Sequence, residues 1–352
     1  MAEASIHQRQ KLPAIGRPGA GLLVALLLLL AVESWLHTDS FLLKFRSVFA
    51  AGRAMDKVVY VEHDRPGLLI LGNSRADNGF DPRTVLAHFD QGVARGAFNL
   101  GLPGADMRVL SGIVARLDRA AVFGANGTRI VLLVLDESLL QSIDTLGQDV
   151  FFAGTGRLWA EGQFYDAFRA TLRLYGYADN FRQLREPAVL QRFITALHMD
   201  VDPVGGSAAE HLGYRAGMGA LQDEAAARQQ EAGSRAPPSD VNMRQFWRTL
   251  DLLDSRGVRV VVVHPPLLNR EVLYLTPERP EAAPYLAISR QLEQRSVAQI
   301  ALDPGARRDP KEFVNAGHLN DRGAQRYSAL LGQALRQQMA GPQTPSSAGP
   351  VR

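Results

Sequence analysis

The chain contains no cysteine among its 352 residues. This absence excludes disulfide bonds, catalysis by a thiolate and metal sites built from cysteine. The excess of positive charge is small, with 39 Lys and Arg against 36 Asp and Glu, and the basic residues are spread along the chain apart from an N-terminal cluster. A nucleic-acid interface requires a concentrated basic surface, so we expect no nucleic-acid partner.

Metal-binding and cofactor-binding patterns are equally scarce. The one suggestive triplet, Glu62-His63-Asp64, consists of three successive residues, which cannot converge on one ion in an extended segment. We expect this triplet to form a solvated surface turn. The sequence therefore predicts no metal site and no cofactor, and it contains no internal repeat that would indicate a solenoid.

A long apolar run lies near the N-terminus. Arg9, Lys11 and Arg17 precede the uncharged segment 18–32, which includes five consecutive leucines. A helix that continues to Leu36 has about 19 residues, and at about 1.5 Å per residue it just spans a bilayer core. A cleaved signal peptide has the same basic flank and apolar run. No Ala-x-Ala cleavage site follows, so the sequence favours an uncleaved signal-anchor.

The basic flank also predicts the orientation of the chain. Positive residues before a single apolar run place the N-terminus in the cytoplasm, so residues 1–17 form a cytoplasmic tail and residues 18–37 the transmembrane anchor. Residues 38–65 form a connector whose apolar helical pattern could lie along the membrane or pack on the following domain, and we expect it to pack. That domain, residues 66–340, then lies outside the cytoplasmic membrane, and residues 341–352 form a disordered Pro/Ser/Gly tail.

Short aliphatic runs alternate with helical patterns through the main domain. Near-continuous aliphatic strands are typical of parallel sheets covered on both faces, and their alternation with helices predicts an α/β three-layer sandwich with right-handed crossovers. The five predicted strands lie at 67–71, 96–100, 129–135, 258–264 and 297–302. The predicted helices lie at 83–90, 105–122, 241–256, 283–296 and 321–338.

About a hundred residues separate the third predicted strand from the fourth, too many for one crossover helix. We interpret 139–240 as a helical insertion or cap. Its first part carries aromatic residues at helical spacing, which favour packing over a substrate platform. Residues 201–240 contain few large apolar groups, and this composition predicts a mobile loop or weak helix. This segment could cover the carboxyl edge of the sheet.

The segment Leu71-Gly72-Asn73-Ser74-Arg75-Ala76 follows the first predicted strand. Ser74 therefore stands where a parallel strand opens into a loop, the position at which open α/β sheets bind their ligands. This placement makes Ser74 a candidate nucleophile. The alternative is that Asn73-Ser74 merely caps the next helix.

Two further motifs accompany this serine. The segment 98–105 reads Phe-Asn-Leu-Gly-Leu-Pro-Gly-Ala, a strand that ends in glycines whose N–H groups can approach a substrate oxygen. The segment 315–324 reads Asn-Ala-Gly-His-Leu-Asn-Asp-Arg-Gly-Ala and places His318 before a C-terminal helix. Together, the three blocks resemble the SGNH (GDSL-like) hydrolase superfamily, and in particular its membrane-anchored bacterial members related to polysaccharide and cell-wall O-acylation proteins.

The resemblance covers roughly residues 66 to 335 and implies a flavodoxin-like fold with a site at the sheet edge. It implies Ser74 as nucleophile, His318 as base and Asn315 at the position of the triad acid. The oxyanion hole would use Ser74, Gly101 and Gly104. Candidate substrate-binding residues are Asn73, Arg75, Asp136 and His264.

Two of these candidates have a second interpretation. Arg75 could hold a substrate carboxylate or phosphate, or it could pair with Asp77 or Asp81. His264 closes the fourth predicted strand and could contact substrate, or it could be a strand-end histidine whose hydrogen bonds are satisfied within the protein.

The chain departs from the family pattern at two positions. Asn315 replaces the aspartate that orients the histidine, a change that costs about 10⁴ in rate in a triad protease, although some members of the superfamily use a Ser-His dyad. Asp136 stands where the family has a Gly-x-Asn-Asp block, and an ionised carboxylate cannot donate to an oxyanion. The loss of one such donor costs about 2.7–4 kcal/mol of transition-state stabilisation.

The sequence supports a membrane-anchored esterase or O-acyltransferase that acts on acyl esters of a cell-surface or exported polysaccharide through an acyl-enzyme. Its location would be the bacterial inner membrane, with a periplasmic catalytic domain and a membrane-bound O-acyltransferase as a possible partner. The alternative is a catalytically degenerate SGNH domain that binds glycan or an assembly partner. A third hypothesis is that the resemblance is accidental. Esterase and transferase share every residue named here.

Overall fold

The computed structural model describes residues 17–45, 48, 51–89, 93, 95–145, 147–199, 207–219, 236–305 and 308–339. The predicted cytoplasmic tail up to residue 16, the C-terminal tail 341–352 and parts of the predicted cap lie outside these ranges. Within them, the sheet has five parallel strands in the order β2-β1-β3-β4-β5. The strands are β1 (Leu68–Gly72), β2 (Ala97–Gly101), β3 (Ile130–Val134), β4 (Arg259–His264) and β5 (Ala298–Ala301).

Helices cover both faces of this sheet, and further helices precede β1 and follow β5 in the chain. They are α1 (Arg17–Leu36), α2 (Asp39–Lys44), α3 (Ala51–Asp64), α4 (Ser74–Asp77), α5 (Pro82–His88), α6 (Met107–Arg119), α7 (Glu137–Leu140), α8 (Gln148–Phe152), α9 (Thr155–Ala160), α10 (Phe164–Thr171), α11 (Arg173–Gly176), α12 (Ala178–Gln183), α13 (Pro187–Leu197), α14 (Ser207–Glu210), α15 (Asp240–Ser255), α16 (Ala283–Gln294) and α17 (Asp321–Met339). The five predicted strands and five predicted helices are confirmed, with boundaries shifted by a few residues. The α/β class and the parallel sheet are therefore as expected.

The core lies on the sheet. Every residue of β1, β2 and β3 is buried, because helices cover both faces of these strands, and most of their side chains are accordingly aliphatic. The chain passes from β1 to β2 on one side and to β3 on the other. Such a reversal opens a crevice at the carboxyl ends of the strands, where α/β sheets bind ligands.

The connector packs on the domain, as predicted. Phe41, Leu42 and Phe45 are buried in the main core. The helix α3 that follows was not predicted, and the Glu62-His63-Asp64 triplet closes this helix instead of forming a surface turn. Glu62 pairs with Arg116 of α6, with an Oε1 to Nε distance of 2.7 Å, so the carboxylate joins two helices.

In its described residues, the insertion contains the short helices α8 to α14, and α7 ends at its start. The packing interpretation of its aromatic residues is correct for Phe152 and Tyr177, which are buried. It is wrong for a second group whose side chains are 43–65% exposed. These are Trp159, Phe164, Tyr165, Phe168 and Tyr175.

Residues 211–215 of the predicted cap pack beside β2, the edge strand of the sheet. The Asn99 N–H of edge strand β2 donates to the Leu212 carbonyl at 2.8 Å, and the Arg215 N–H donates to the Asp77 carbonyl at 2.9 Å. Tyr214 donates to Asp321 at the start of α17. Residues 211–215 therefore lie beside α4, which Ser74 begins. Residues 220–235 lie outside the described ranges.

Gly101 ends β2 in close contact with α4. A Cβ atom at this position would lie 2.3 Å from the Asp77 nitrogen and 2.7 Å from the Ala76 carbonyl carbon. The glycine therefore allows the turn that follows Ser74 to pack directly on the neighbouring strand.

We expect Gly101→Ala to destabilise the fold by about 1–3 kcal/mol, because α4 must move to make room for the methyl group. Thermal unfolding followed by circular dichroism measures the change. Gly156→Ala is the matched control, since a Cβ at this exposed position in α9 has nothing within 4 Å, and it should be neutral or slightly stabilising. Equal unfolding temperatures for both variants would contradict the packing argument.

Candidate active site

The loop after β1 presents a single side chain to solvent. From residue 71 to residue 80, only Ser74 is not fully buried. Asn73 caps α4 through a 2.9 Å bond from the Arg75 N–H to its Oδ1 atom. The capping interpretation is therefore correct for Asn73, and the cap places Ser74 at the first helical position, above the carboxyl edge of the sheet.

His318 lies next to Ser74 although 244 residues separate the two in sequence. The short antiparallel strands β6 (Phe313–Asn315) and β7 (His318–Leu319) form the turn that carries the imidazole. The Ser74 Oγ and His318 Nε2 atoms are 2.8 Å apart. This distance lies within the range for proton transfer between a nucleophile and its base.

Asn315 orients the imidazole from the opposite side. Its Oδ1 atom lies 3.0 Å from His318 Nδ1 and accepts a 2.9 Å hydrogen bond from the Gly317 N–H. The Gly317 donor identifies the oxygen end of the amide, because an NH₂ group cannot accept an N–H. Nδ1 must then carry the imidazole proton, which leaves Nε2 as the acceptor for the Ser74 hydroxyl. The neutral amide thus selects the tautomer that a general base requires.

Burial and, to a smaller extent, the positive charge of Arg75 lower the pKa of His318 to about 4, although the charge of Asp136 opposes the shift. The imidazole is therefore neutral at pH 7, and Nε2 is available to accept a proton. Arg215 acts in the same direction as Arg75, so the cap segment brings a second positive charge within electrostatic range of the site.

Arg75 is buried behind the nucleophile and joins three loops. Its Nε donates to the Gly317 carbonyl at 3.1 Å, and its guanidinium pairs with Asp136 after β3. The predicted pairing with Asp77 or Asp81 is therefore wrong, because Asp136 is the partner of Arg75. A side chain with these contacts and 9% exposure positions the Ser74 and His318 loops instead of offering a free charge to a substrate.

Asp136 is the acceptor at the centre of this arrangement. Burial alone would raise its pKa, but the Arg75 charge and hydrogen bonds from Ser138, Arg75 and Asn73 hold its pKa below the usual value. Its carboxylate also accepts from the Leu139 N–H and so caps α7. Asp136 is therefore an ionised structural acceptor, and with Asn73 it supports the site from below.

The three candidate oxyanion donors differ in whether their N–H group already donates a hydrogen bond within the protein. The Gly101 N–H donates to Asn99 Oδ1 at 2.8 Å, so it is already used. Among the described residues, neither the Ser74 N–H nor the Gly104 N–H has a hydrogen-bond partner. Gly104 has a φ of +75°, a conformation that favours glycine. Its loop starts beside the nucleophile loop, because Leu102 donates to the Gly72 carbonyl.

His264 lies at the end of β4. Its Nδ1 contacts the Leu135 carbonyl at 3.3 Å, its Nε2 contacts Gln299 at 3.2 Å, and its ring stacks on Tyr274. Burial lowers its pKa. His264 therefore matches the second interpretation, a strand-end histidine whose hydrogen bonds are satisfied within the protein.

Sequence reasoning missed Lys57 of α3. This buried ammonium donates to Asp77 Oδ1 at 2.7 Å and to the Gly101 carbonyl at 2.6 Å, and burial lowers its pKa to about 8. It clamps α4 to the end of β2. No local pattern reveals this role, because α3 precedes the sheet in the chain and its lysine looks like an ordinary surface residue.

Comparisons with known proteins complete the description of the site. No family model and no curated protein matches the chain. A solved structure from Streptococcus pneumonia, provisionally described as a platelet activating factor, is 12% identical, covers 90% of this chain and 99% of its own, and has a TM-score of 0.35. A carbohydrate acetylesterase family member from Sinorhizobium meliloti is 9% identical, covers 78% and 99%, and has a TM-score of 0.32. Similarity at this level leaves the function to be argued from the site.

We predict that the His318 ring titrates near pH 4, well below an ordinary histidine, because its burial disfavours the imidazolium. NMR of histidine-labelled protein measures the midpoint, and His318→Ala identifies the signal among the eight histidines. Asn315→Asp should raise the midpoint, since a carboxylate beside Nδ1 stabilises the imidazolium. A wild-type midpoint near 6.5, or no change in Asn315→Asp, would contradict the described environment.

Proposed function

We propose that this protein is a membrane-anchored, extracytoplasmic SGNH-type esterase or O-acyltransferase. It acts on acyl esters of a cell-surface or exported polysaccharide through a covalent acyl-enzyme on Ser74. The observation that carries the proposal is the chain of contacts from Ser74 Oγ to His318 Nε2 and from His318 Nδ1 to Asn315 Oδ1, at 2.8 and 3.0 Å. A serine that merely capped a helix would need no oriented imidazole.

In the first step, Ser74 Oγ attacks the carbonyl carbon of the ester while its proton moves to His318 Nε2. The carbonyl oxygen becomes negative as the imidazole becomes positive. The unpartnered N–H groups of Ser74 and Gly104 are the donors available to this oxyanion. His318 then gives the proton to the leaving alkoxide oxygen as the carbon–oxygen bond breaks, which leaves the acyl group on Ser74.

In the second step, His318 takes a proton from the acceptor hydroxyl, and the acceptor oxygen attacks the acyl carbon. Water as acceptor gives hydrolysis, and a sugar hydroxyl gives transfer. The bond to Ser74 Oγ breaks, and His318 returns the proton to it. Because the same residues serve both acceptors, the outcome depends on whether a sugar excludes water from the site.

The anchor supports the choice of a substrate outside the cytoplasm. The window Gly19–Leu36 has 18 residues with a mean hydropathy of 2.1, and almost none of it is buried in the protein. A helix of this length and hydropathy can span a bilayer core. An acyl-handling domain tethered at the outer face of the inner membrane could receive acyl groups from a membrane-bound O-acyltransferase.

We expect Ser74→Ala and His318→Ala each to abolish the release of p-nitrophenol from p-nitrophenyl acetate. The double variant should be no worse than either single variant, because the two residues act as one unit. Initial rates, with circular dichroism to verify folding, measure the effect.

The matched controls are Ser255→Ala and His63→Ala, which change an exposed serine and an exposed histidine whose contacts are with Leu252 and Asp64, respectively, and not with the site. Both should retain wild-type rates. Folded Ser74→Ala protein with full turnover would exclude the proposed nucleophile. A wild type that binds oligosaccharide without any turnover would favour the binding domain instead.

Asn315→Asp should increase ester turnover by about tenfold, which corresponds to about 1.4 kcal/mol of added transition-state stabilisation. The new carboxylate keeps both hydrogen bonds of Oδ1 and stabilises the imidazolium that forms during acyl transfer. Asn315→Ala removes the acceptor and should reduce turnover. Wild-type rates in Asn315→Ala would show that Asn315 does not orient His318.

A further inference from the structure

The exposed large apolar side chains of this protein are confined to two segments. Throughout the part of the chain that the structure describes, each one lies either in α1 or between residues 159 and 199. Soluble proteins rarely expose contiguous apolar patches of this extent without a binding role. The apolar residues of α1 are explained by its proposed anchoring, whereas those of the insertion contact mainly one another and remain 41–65% exposed.

Helix α10 buries its small side chains and exposes its large ones. Its alanines Ala167 and Ala170 are buried, whereas Phe164, Tyr165 and Phe168 are 64%, 65% and 43% exposed. A surface helix of a soluble protein normally does the opposite, because burial of an aromatic side chain contributes far more than burial of a methyl group. This inversion indicates that the outer face of α10 meets an apolar environment.

Helix α13 has a wide apolar side that is only partly buried. At one border of this side, Phe193 stacks on Phe45 of the connector, with ring centroids 4.6 Å apart. The neighbouring Leu190, Ile194 and Leu197, at helical spacing, are 41–44% exposed. A helix that is apolar on more than its core-facing stripe is typical of helices that contact lipid or lie deep in a larger core.

Both helices belong to a unit that is joined to the end of α1. The Glu33 carboxylate accepts from the N–H groups of Arg173 and Leu174 at the start of α11, at 2.6 and 3.0 Å. The Arg173 guanidinium donates in turn to the Leu36 carbonyl at 3.0 Å. Trp35 packs edge-on against Phe41. The insertion is therefore attached at the point where the spanning helix leaves the bilayer.

We propose that the insertion face formed by α9 to α13 lies in the membrane surface, with its exposed aromatic and aliphatic side chains among the upper acyl chains. This inference rests on the proposed anchoring of α1 and adds a second attachment to the same membrane. Interfacial helices bury their apolar face about 5–10 Å into the headgroup boundary. The domain would then be held against the bilayer instead of hanging from a flexible stalk.

The chemistry of the face favours lipid over a protein partner. Tryptophan and tyrosine are enriched at membrane interfaces because their rings have an apolar body and a polar tip. Arg185 and Arg192, which are exposed on and beside α13, supply positive charge that complements phosphate headgroups. The face is also continuous with α1, whose own surroundings are lipid.

Tryptophan quenching in vesicles tests the proposal with the full chain. Three single-tryptophan variants retain Trp35, Trp159 or Trp247, the other two positions being changed to Phe. Each is reconstituted in phosphatidylcholine vesicles that carry a nitroxide on the upper acyl chain. Trp35 reports the anchor, and Trp247 on α15, beneath Arg295, is the control outside the insertion. We expect Trp159 to be quenched nearly as strongly as Trp35 and several-fold more than Trp247.

A charge substitution gives a second measurement. The pair Phe164→Glu and Phe168→Glu should reduce the quenching of Trp159 toward the Trp247 level, whereas Gln333→Glu with Gln337→Glu on the exposed face of α17 should leave it unchanged. Quenching of Trp35 without quenching of Trp159 would overturn the surface contact alone, and access of aqueous acrylamide to Trp159 would then favour a protein partner. No quenching of Trp35 would overturn the anchor as well.

Discussion

One buried guanidinium, that of Arg75, holds together the three loops on which the candidate site depends. It follows the nucleophile in the chain, pairs with Asp136 after β3 and donates to the Gly317 carbonyl in the turn that carries His318. Removal of one partner from a buried ion pair typically costs about 3–5 kcal/mol, because the other charge is left without compensation. The 2.8 Å contact between Ser74 and His318 therefore depends on a residue that itself takes no part in the proposed chemistry.

A second buried cation supports the opposite side of the nucleophile. Lys57 joins the end of α4 to the end of β2 through Asp77 and the Gly101 carbonyl. The close approach of these elements requires the missing side chain at Gly101. Two clamps thus fix α4 from both sides, and Ser74 stays at its first position with an unpartnered N–H. Such support outside the reacting groups is what holds a catalytic geometry within a few tenths of an ångström.

The neutral Asn315 changes the electrostatics of the base without changing its orientation. The Gly317 N–H fixes the amide oxygen toward the imidazole, so the tautomer is correct. Without a carboxylate beside it, the His318 pKa falls to about 4 through burial and the charge of Arg75. The substitution that weighed most against activity in the sequence is thus compatible with it in the structure.

The sequence by itself determined the five strands and the five main helices, because aliphatic runs and glycine-rich strand ends are local signals, while the pairing of Ser74 with His318 was implied only by the resemblance to a family. It did not determine what Arg75, Asp136 and His264 do, since their partners lie far away in the chain. It missed α3 and Lys57 for the same reason. It also misjudged the aromatic residues of the insertion, because helical spacing gives the period of a face and not its direction. Only the tertiary structure decides whether that face points to the core or, as at α10, to the surroundings.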